Sequence, residues 1–202
     1  MLDFLEASRG ERLTIEEYRN DFAEHFWTIG DNDFWKLERQ QTFQEPGDDS
    51  WEAFRQGDWH KSLQLLEQRR KSLQNYYERI ARAGFRTWRV RVVEEPVTPY
   101  LRWELHLLRL RHEYGGCVRI VGPDAIRHLE TGRGLPEVVT LGSSVMYEVL
   151  YDETGVLAGG VRHTDPGLLA RWRNLISDLY AAGEDITSFF DRHRRWLEAG
   201  TR

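Results

Sequence analysis

Cysteine is all but missing. Cys117 stands alone among 202 residues, so neither an intramolecular disulfide nor a cysteine-based zinc cluster can form. Lysine is scarce too: Lys36, Lys61 and Lys71 are the three lysines among 28 basic residues, and the rest are arginine. Such a bias follows from a GC-rich coding sequence and says nothing about function. No stretch approaches the ~20 apolar residues that span a bilayer. The start, MLDFLEASRGER, lacks the basic opening and continuous apolar run of a secretory signal. These absences lead us to expect a cytoplasmic protein with no membrane association.

An excess of positive charge is also lacking. The net charge is −5; residues 1–82 carry 12 basic and 17 acidic groups, and the remainder carries 16 of each. Neither part has the basic footprint of a nucleic-acid binder, which makes direct binding of DNA or RNA a weak expectation. Catalytic motifs are absent as well. There is no HExxH, no GxSxG elbow, and no phosphate-binding or dinucleotide fingerprint after a strand. His106 and His112 lie six apart on a predicted helix, on different faces, which does not suit a shared metal. The sequence implies no cofactor, metal or catalytic residue.

What is present is organised around residues 88–121. Trp88, Val90 and Val92 alternate with Arg89 and Arg91, the period of a strand with one apolar face. Pro96 stops it, and Thr98-Pro99 reads as helix N-cap and first helical position. Leu101, Leu105 and Leu108, beside Trp103, Leu107, Leu110 and Tyr114, give a wide apolar stripe that must lie on a sheet or between layers. Gly115-Gly116 ends the helix, and Cys117 to Val121 begins a second strand. The unit fits a parallel strand–helix–strand crossover.

Upstream, Thr14 and Glu17 have capping-box spacing before Tyr18, Phe22 and Phe26. After a break at Asp31-Asn32-Asp33, Phe34 to Glu38 reads as resumed helix. Ser50 is the expected N-cap for the helix of Trp51 and Phe54, and Trp59 to about Ala83 reads as one long helix ended by Gly84. GDWHKSLQLLEQ has the look of a tetratricopeptide helix, without the repeat a solenoid needs. Downstream, Val138 to Leu141, Val145 to Tyr151 and Val156 to Val161 read as strands, with Gly159-Gly160 marking a bulge or a close backbone approach. Asp165-Pro166 opens a helix, and a last one follows. The expected class is α+β: a helical N-terminal region over residues 1–84, then an α/β sandwich over 85–202 in the order β-α-β-β-β-β-α-α, a mixed sheet flanked by helices.

The segments Trp88 to Val93, Glu95-Pro96 and Pro99 to Glu104, with Val118-Arg119-Ile120 and a Tyr151…Gly155…Asp165-Pro166 tail, resemble an uncharacterised actinobacterial family known as a domain of unknown function. FWKLERQQTF and SWEAFRQGDW resemble its longer members. That resemblance, over about residues 30–190, implies a regulatory neighbourhood beside helix-turn-helix regulators and small BldB-like proteins. The element order also looks like the phospholipase-D fold without its catalytic motif.

The polar set worth following is Arg89 and Arg91 on one strand with Arg119 on the next, near Tyr100 and Trp103. Arginine forks match carboxylates and phosphates, so a converging set would hold an anionic ligand or acidic peptide; the plainer reading pairs them with Glu94, Glu104 or Glu148. The expected function is that of a non-enzymatic regulatory or sensor protein. It would bind a partner such as a helix-turn-helix regulator, or a small anionic effector. A divergent phospholipase-D-like phosphodiester hydrolase, drawing on His106, His128 or His163, is the alternative. Nucleic-acid binding through Arg192, Arg194 and Arg195 comes last.

Overall fold

A computed structural model describes residues 9–130 and 134–197. It is of mixed α+β class, as the sequence implies. In chain order come β1 (Glu11–Thr14), α1 (Ile15–Phe26), β2 (Phe34–Glu38), α2 (Asp49–Arg55), α3 (Trp59–Gln68), α4 (Arg70–Arg82), β3 (Thr87–Val92), α5 (Pro99–Glu113), β4 (Cys117–Val121), β5 (Glu137–Leu141), β6 (Val145–Tyr151), β7 (Leu157–His163), α6 (Pro166–Ala182), β8 (Glu184–Asp185) and α7 (Ile186–Leu197). The strands form one mixed sheet in the order β1-β7-β6-β5-β2-β3-β4-β8. β2, β3 and β4 run parallel to their neighbours in that trio, and every other pairing is antiparallel. Among the described residues no helix is long and apolar enough to cross a membrane.

The central unit forms as its pattern demands. β3 and β4 pair in parallel with Trp88 opposite Cys117 and Val92 opposite Val121. The helix between them begins where Thr98 Oγ1 accepts the Leu101 amide at 3.2 Å. Thr14 and Glu17 make the reciprocal capping box of α1, and the Asp165 carboxylate caps α6 through the Leu168 amide at 2.6 Å. The paired glycines of β7 serve the close approach that the sequence suggested. β1 lies against Gly159 and Gly160, and a Cβ at Gly159 would sit 2.3 Å from the Leu13 carbonyl oxygen.

Four local readings are corrected. Phe34 to Glu38 is not helix but the strand β2, held between β3 and β5 in mid-sheet. Phe34 and Leu37 mimic helical spacing, yet alternation of Trp35 and Leu37 with Lys36 and Glu38 decides the outcome once strands exist on both sides. Residues 11–14 likewise form a strand, so the N-terminal region supplies two strands to the sheet besides its helices. Asp48, not Ser50, caps α2, accepting the Trp51 amide at 2.9 Å; Ser50 is buried and bonds Ser62 and Trp103 instead. The long helix is two, turning at Arg69, whose amide reaches back three residues to Leu66. Residues 1–8, 131–133 and 198–202 and the side chain of Trp196 lie outside the described residues.

Alternation sends the two sets of side chains on β2 and β3 to opposite faces. On one face Leu37, Val90, Val92, Val121, Val138 and Met146 pack under Leu168, Trp172 and Ile176 of α6 in a dry core. The other face carries two apolar clusters. One gathers α5 and α7 with Trp51, Trp59, Val118 and Ile120; the other gathers α1 and α4 with Phe34, Val139, Leu141 and Tyr147. Between those clusters lies a charged strip.

Candidate functional site

The strip is built by the alternate residues of β2 and β3: Lys36 and Glu38 on one strand, Arg89 and Arg91 on the next, in register at Lys36–Arg89 and Glu38–Arg91. Glu38 is its hub. Lys36 Nζ lies 2.6 Å from one carboxylate oxygen, and Arg89 forms an ion pair with the other. Burial pushes the Glu38 carboxyl up, but Arg89, Lys36 and Arg91 together outweigh burial and hold it well below the usual range. Arg91 has no exposed surface. Its Nε donates to Glu104 at 2.7 Å and its Nη1 to the Glu38 and Val92 carbonyls at 3.1 and 3.2 Å. Burial works against its charge, and Glu104 and Glu38 overcome it.

Tyr100 rises from α5 with its hydroxyl 3.0 Å from Glu45 and 3.2 Å from Glu104. One proton serves two carboxylates, and burial, opposed mainly by that Tyr100 bond, raises the Glu45 pKa. Glu137 faces the same strip from β5. Its Oε1 accepts the Arg39 and Gln40 amides at 2.8 and 2.6 Å, but burial, with Glu38 beside it, lifts its pKa to about 7.

Two cavities open over this strip. One, of about 290 Å³, is polar and has Glu45, Asp48, Arg69, Tyr100, Glu104 and Tyr151 among its walls. The other, of about 240 Å³, is walled by aromatic rings of α1, β2 and α4 together with Gly116, Val118 and Val139. They share Lys36, Arg89 and Arg111. Two of these three cations, Lys36 and Arg89, pair with Glu38, which lines only the polar cavity. Arg111 has no carboxylate partner among the described residues, and its buried Nε has no hydrogen-bond partner. Around the cavities other arginines have carboxylate partners: Arg69 pairs with Asp48 and Asp49, and Arg39 with Glu94 and Glu130.

Of the five residues singled out from sequence, four share this side of the sheet. Arg89 and Tyr100 line the polar cavity with Trp103, whose Nε1 donates to Ser50 Oγ at 2.9 Å, and Arg91 lies beneath them. Arg119 does not join them. It is the register partner of Val90, so it points to the α6 face, where it bonds the Gly183 carbonyl at 3.0 Å and covers Tyr180. The plainer reading of the arginines holds in part, since Arg91 pairs with Glu104. Lys36 and Glu38 were hidden by the helical reading of β2. Arg111 and Glu137 gave no signal, because nothing local marks a residue whose neighbours come from distant strands.

The profile of the family described as Domain of unknown function (DUF6879) matches residues 20–191. The chain belongs to the DUF6879 family. That span of DUF6879 holds every residue of the charged strip and all the cavity walls but Tyr18. No curated protein and no solved structure matches the chain. Among the described residues of this DUF6879 protein no group of three His, Cys, Asp or Glu side chains is disposed to hold a metal ion.

Proposed function

We propose that this DUF6879 protein is a non-enzymatic sensor that takes up a small anionic effector in the cleft over β2 and β3. The observation that carries the reading is Arg111. A guanidinium with no carboxylate partner among the described residues, set beside Lys36 and Arg89 in the wall that two cavities share, is a group that a carboxylate or phosphate would pair. The rest of the strip supplies the rigid support that such a contact needs, since Glu38, Arg91 and Glu104 hold one another in place. The regulatory setting implied by the sequence resemblance makes a helix-turn-helix regulator the proposed reader of the occupied state.

Two observations weigh against the other readings. The histidines of a phosphodiester mechanism lie apart from the cleft and on separate elements. His106 packs edge-on against Trp59 and Phe190, with burial lowering its pKa to about 4; His128 is exposed; His163 ends β7. Arg192 and Arg194, the candidates for nucleic-acid contact with Arg195, form ion pairs with Glu184 and Asp191.

The test is calorimetry and thermal melting with phosphate, sulfate and acetate at millimolar concentration. Uptake of at least one of them by the native protein, lost in Arg111→Gln and kept in the surface control Arg127→Gln, is expected. Absence of any anion effect on the native protein overturns the proposal.

A further inference from the structure

The aromatic limb of the cleft narrows the chemistry of the effector. We infer that the site takes a small aromatic carboxylate, its acid group at Arg111, Lys36 and Arg89 and its ring among the side chains of α1 and α4. The inference rests on the anion reading above and adds the body of the ligand to its charge.

The limb is lined by rings from three elements, α1, β2 and α4. Phe22 and Phe26 lie nearly parallel, 5.6 Å apart at 17°, and Phe26 and Tyr76 continue the series at 6.1 Å and 9°. Tyr18, Phe34 and Tyr77 complete the aromatic wall. Phe26 is sealed in the core, but Phe22 and Tyr76 are only half-buried, so ring surface remains open. Gly116 leaves room for the Tyr77 hydroxyl, from which a Cβ would stand 2.5 Å, and the sheet side of the limb carries Val118 and Val139 beside Lys36 and Arg89. A cavity bounded by ring faces and edges favours a flat guest in offset or edge-on contact. At about 240 Å³ it has no room for a long alkyl chain. Its charged groups are confined to one wall, so a guest must bring its negative charge at one end.

A free inorganic anion would use that wall and leave the rings idle. An aliphatic acid would fill the limb without matching its ring geometry. A neutral aromatic amide would satisfy the rings and leave Arg111 unpaired. Each of these is a probe.

The experiment is calorimetric titration of the whole protein with acetate, hexanoate, 3-phenylpropionate, indole-3-propionate and 3-phenylpropionamide. The expected result is that one of the two aryl acids binds at least tenfold more tightly than acetate, hexanoate and the amide. Its affinity should fall at least tenfold in Arg111→Gln and severalfold in Tyr76→Leu, while acetate is indifferent to Tyr76→Leu. Melting curves first confirm that each variant is folded, and Phe22→Leu stands in for Tyr76→Leu if that variant is not. Hexanoate equal to the aryl acids, or an aryl acid unaffected by loss of the Tyr76 and Phe22 rings, overturns the inference while leaving an anion site standing. If acetate, hexanoate and both aryl acids all fail to bind, the inference falls together with the reading beneath it.

Discussion

The two faces of β2 and β3 are made by the same ten or so residues of backbone and could hardly differ more. Towards α6 they present Trp35, Leu37, Val90 and Val92, with Leu37, Val90 and Val92 fully buried. Towards α5 they present Lys36, Glu38, Arg89 and Arg91. A strand buried on both sides usually reads as a near-continuous apolar run. Here one side is ionic in the middle of the molecule, and the desolvation of those charges is offset only by their mutual pairing. The dry face could be repacked with other apolar residues of similar volume and still hold the fold. The ionic face can be repacked only by changing both partners of a pair together, because a charge left alone would be stranded. Stability accounts for the first face; the second is better explained by a site that needs charge beneath a cavity.

Substitutions separate the two faces. The largest effect should come from Arg91→Met, which strands Glu104 and weakens the hold on Glu38; we expect a loss of roughly 3–5 kcal/mol in denaturant unfolding. Adding Glu104→Met should return most of that loss, since an apolar pair of similar bulk has no charge to bury. If the double variant is as unstable as the single one, the ionic face is a packing device like its opposite. On the dry face Leu37→Ala should cost about 2–5 kcal/mol, with no second charge change able to relieve it.

The next effect depends on pH. Glu137 keeps its proton up to about pH 7 in the folded chain, whereas the unfolded chain gives it up near 4.5. Between those values the native state binds the extra proton, so stability should fall as pH rises from about 4.5 to 7 and level off above. The contribution is on the order of 3 kcal/mol across that window. Glu137→Gln keeps an oxygen for the Arg39 and Gln40 amides and removes the titration, so its advantage over the native chain should grow across the same range. Parallel unfolding curves for the two proteins at pH 5 and pH 8 would contradict the assignment. The smallest effect belongs to Arg111→Gln. A guanidinium with no carboxylate partner among the described residues should change stability by no more than about 0.5 kcal/mol, while anion uptake is lost. A large destabilisation would mean that Arg111 is a structural residue.

Legibility followed the range of the interactions. The caps at Thr14, Thr98 and Asp165 were readable because donor and acceptor lie three residues apart. The α5 stripe was readable because its period needs no knowledge of its neighbours. The cleft was half visible: Arg89 and Arg91 stood out as charges on an apolar strand, and Tyr100 and Trp103 as polar-tipped rings on the adjoining helix. Arg119 was misjudged on the same evidence. Which face a residue takes depends on register, and Val90 rather than Arg89 proves to be its neighbour. β2 was lost because five residues are too few for a period of two to outweigh a chance helical spacing.

By itself the sequence determined the element order from β3 to α6, the α+β class and the capping of the main helices, all of which rest on contacts within a turn or on simple periodicity; the two-residue strand β8 before the last helix was not read. Only the tertiary structure decided that Lys36 and Glu38 enter the sheet beside Arg89 and Arg91, that Glu137 joins them from β5, and that Arg111 is left facing two cavities. Those are juxtapositions between residues 22 to 101 positions apart. No local propensity encodes them, and they exist only when register and helix packing bring the strands and α5 together.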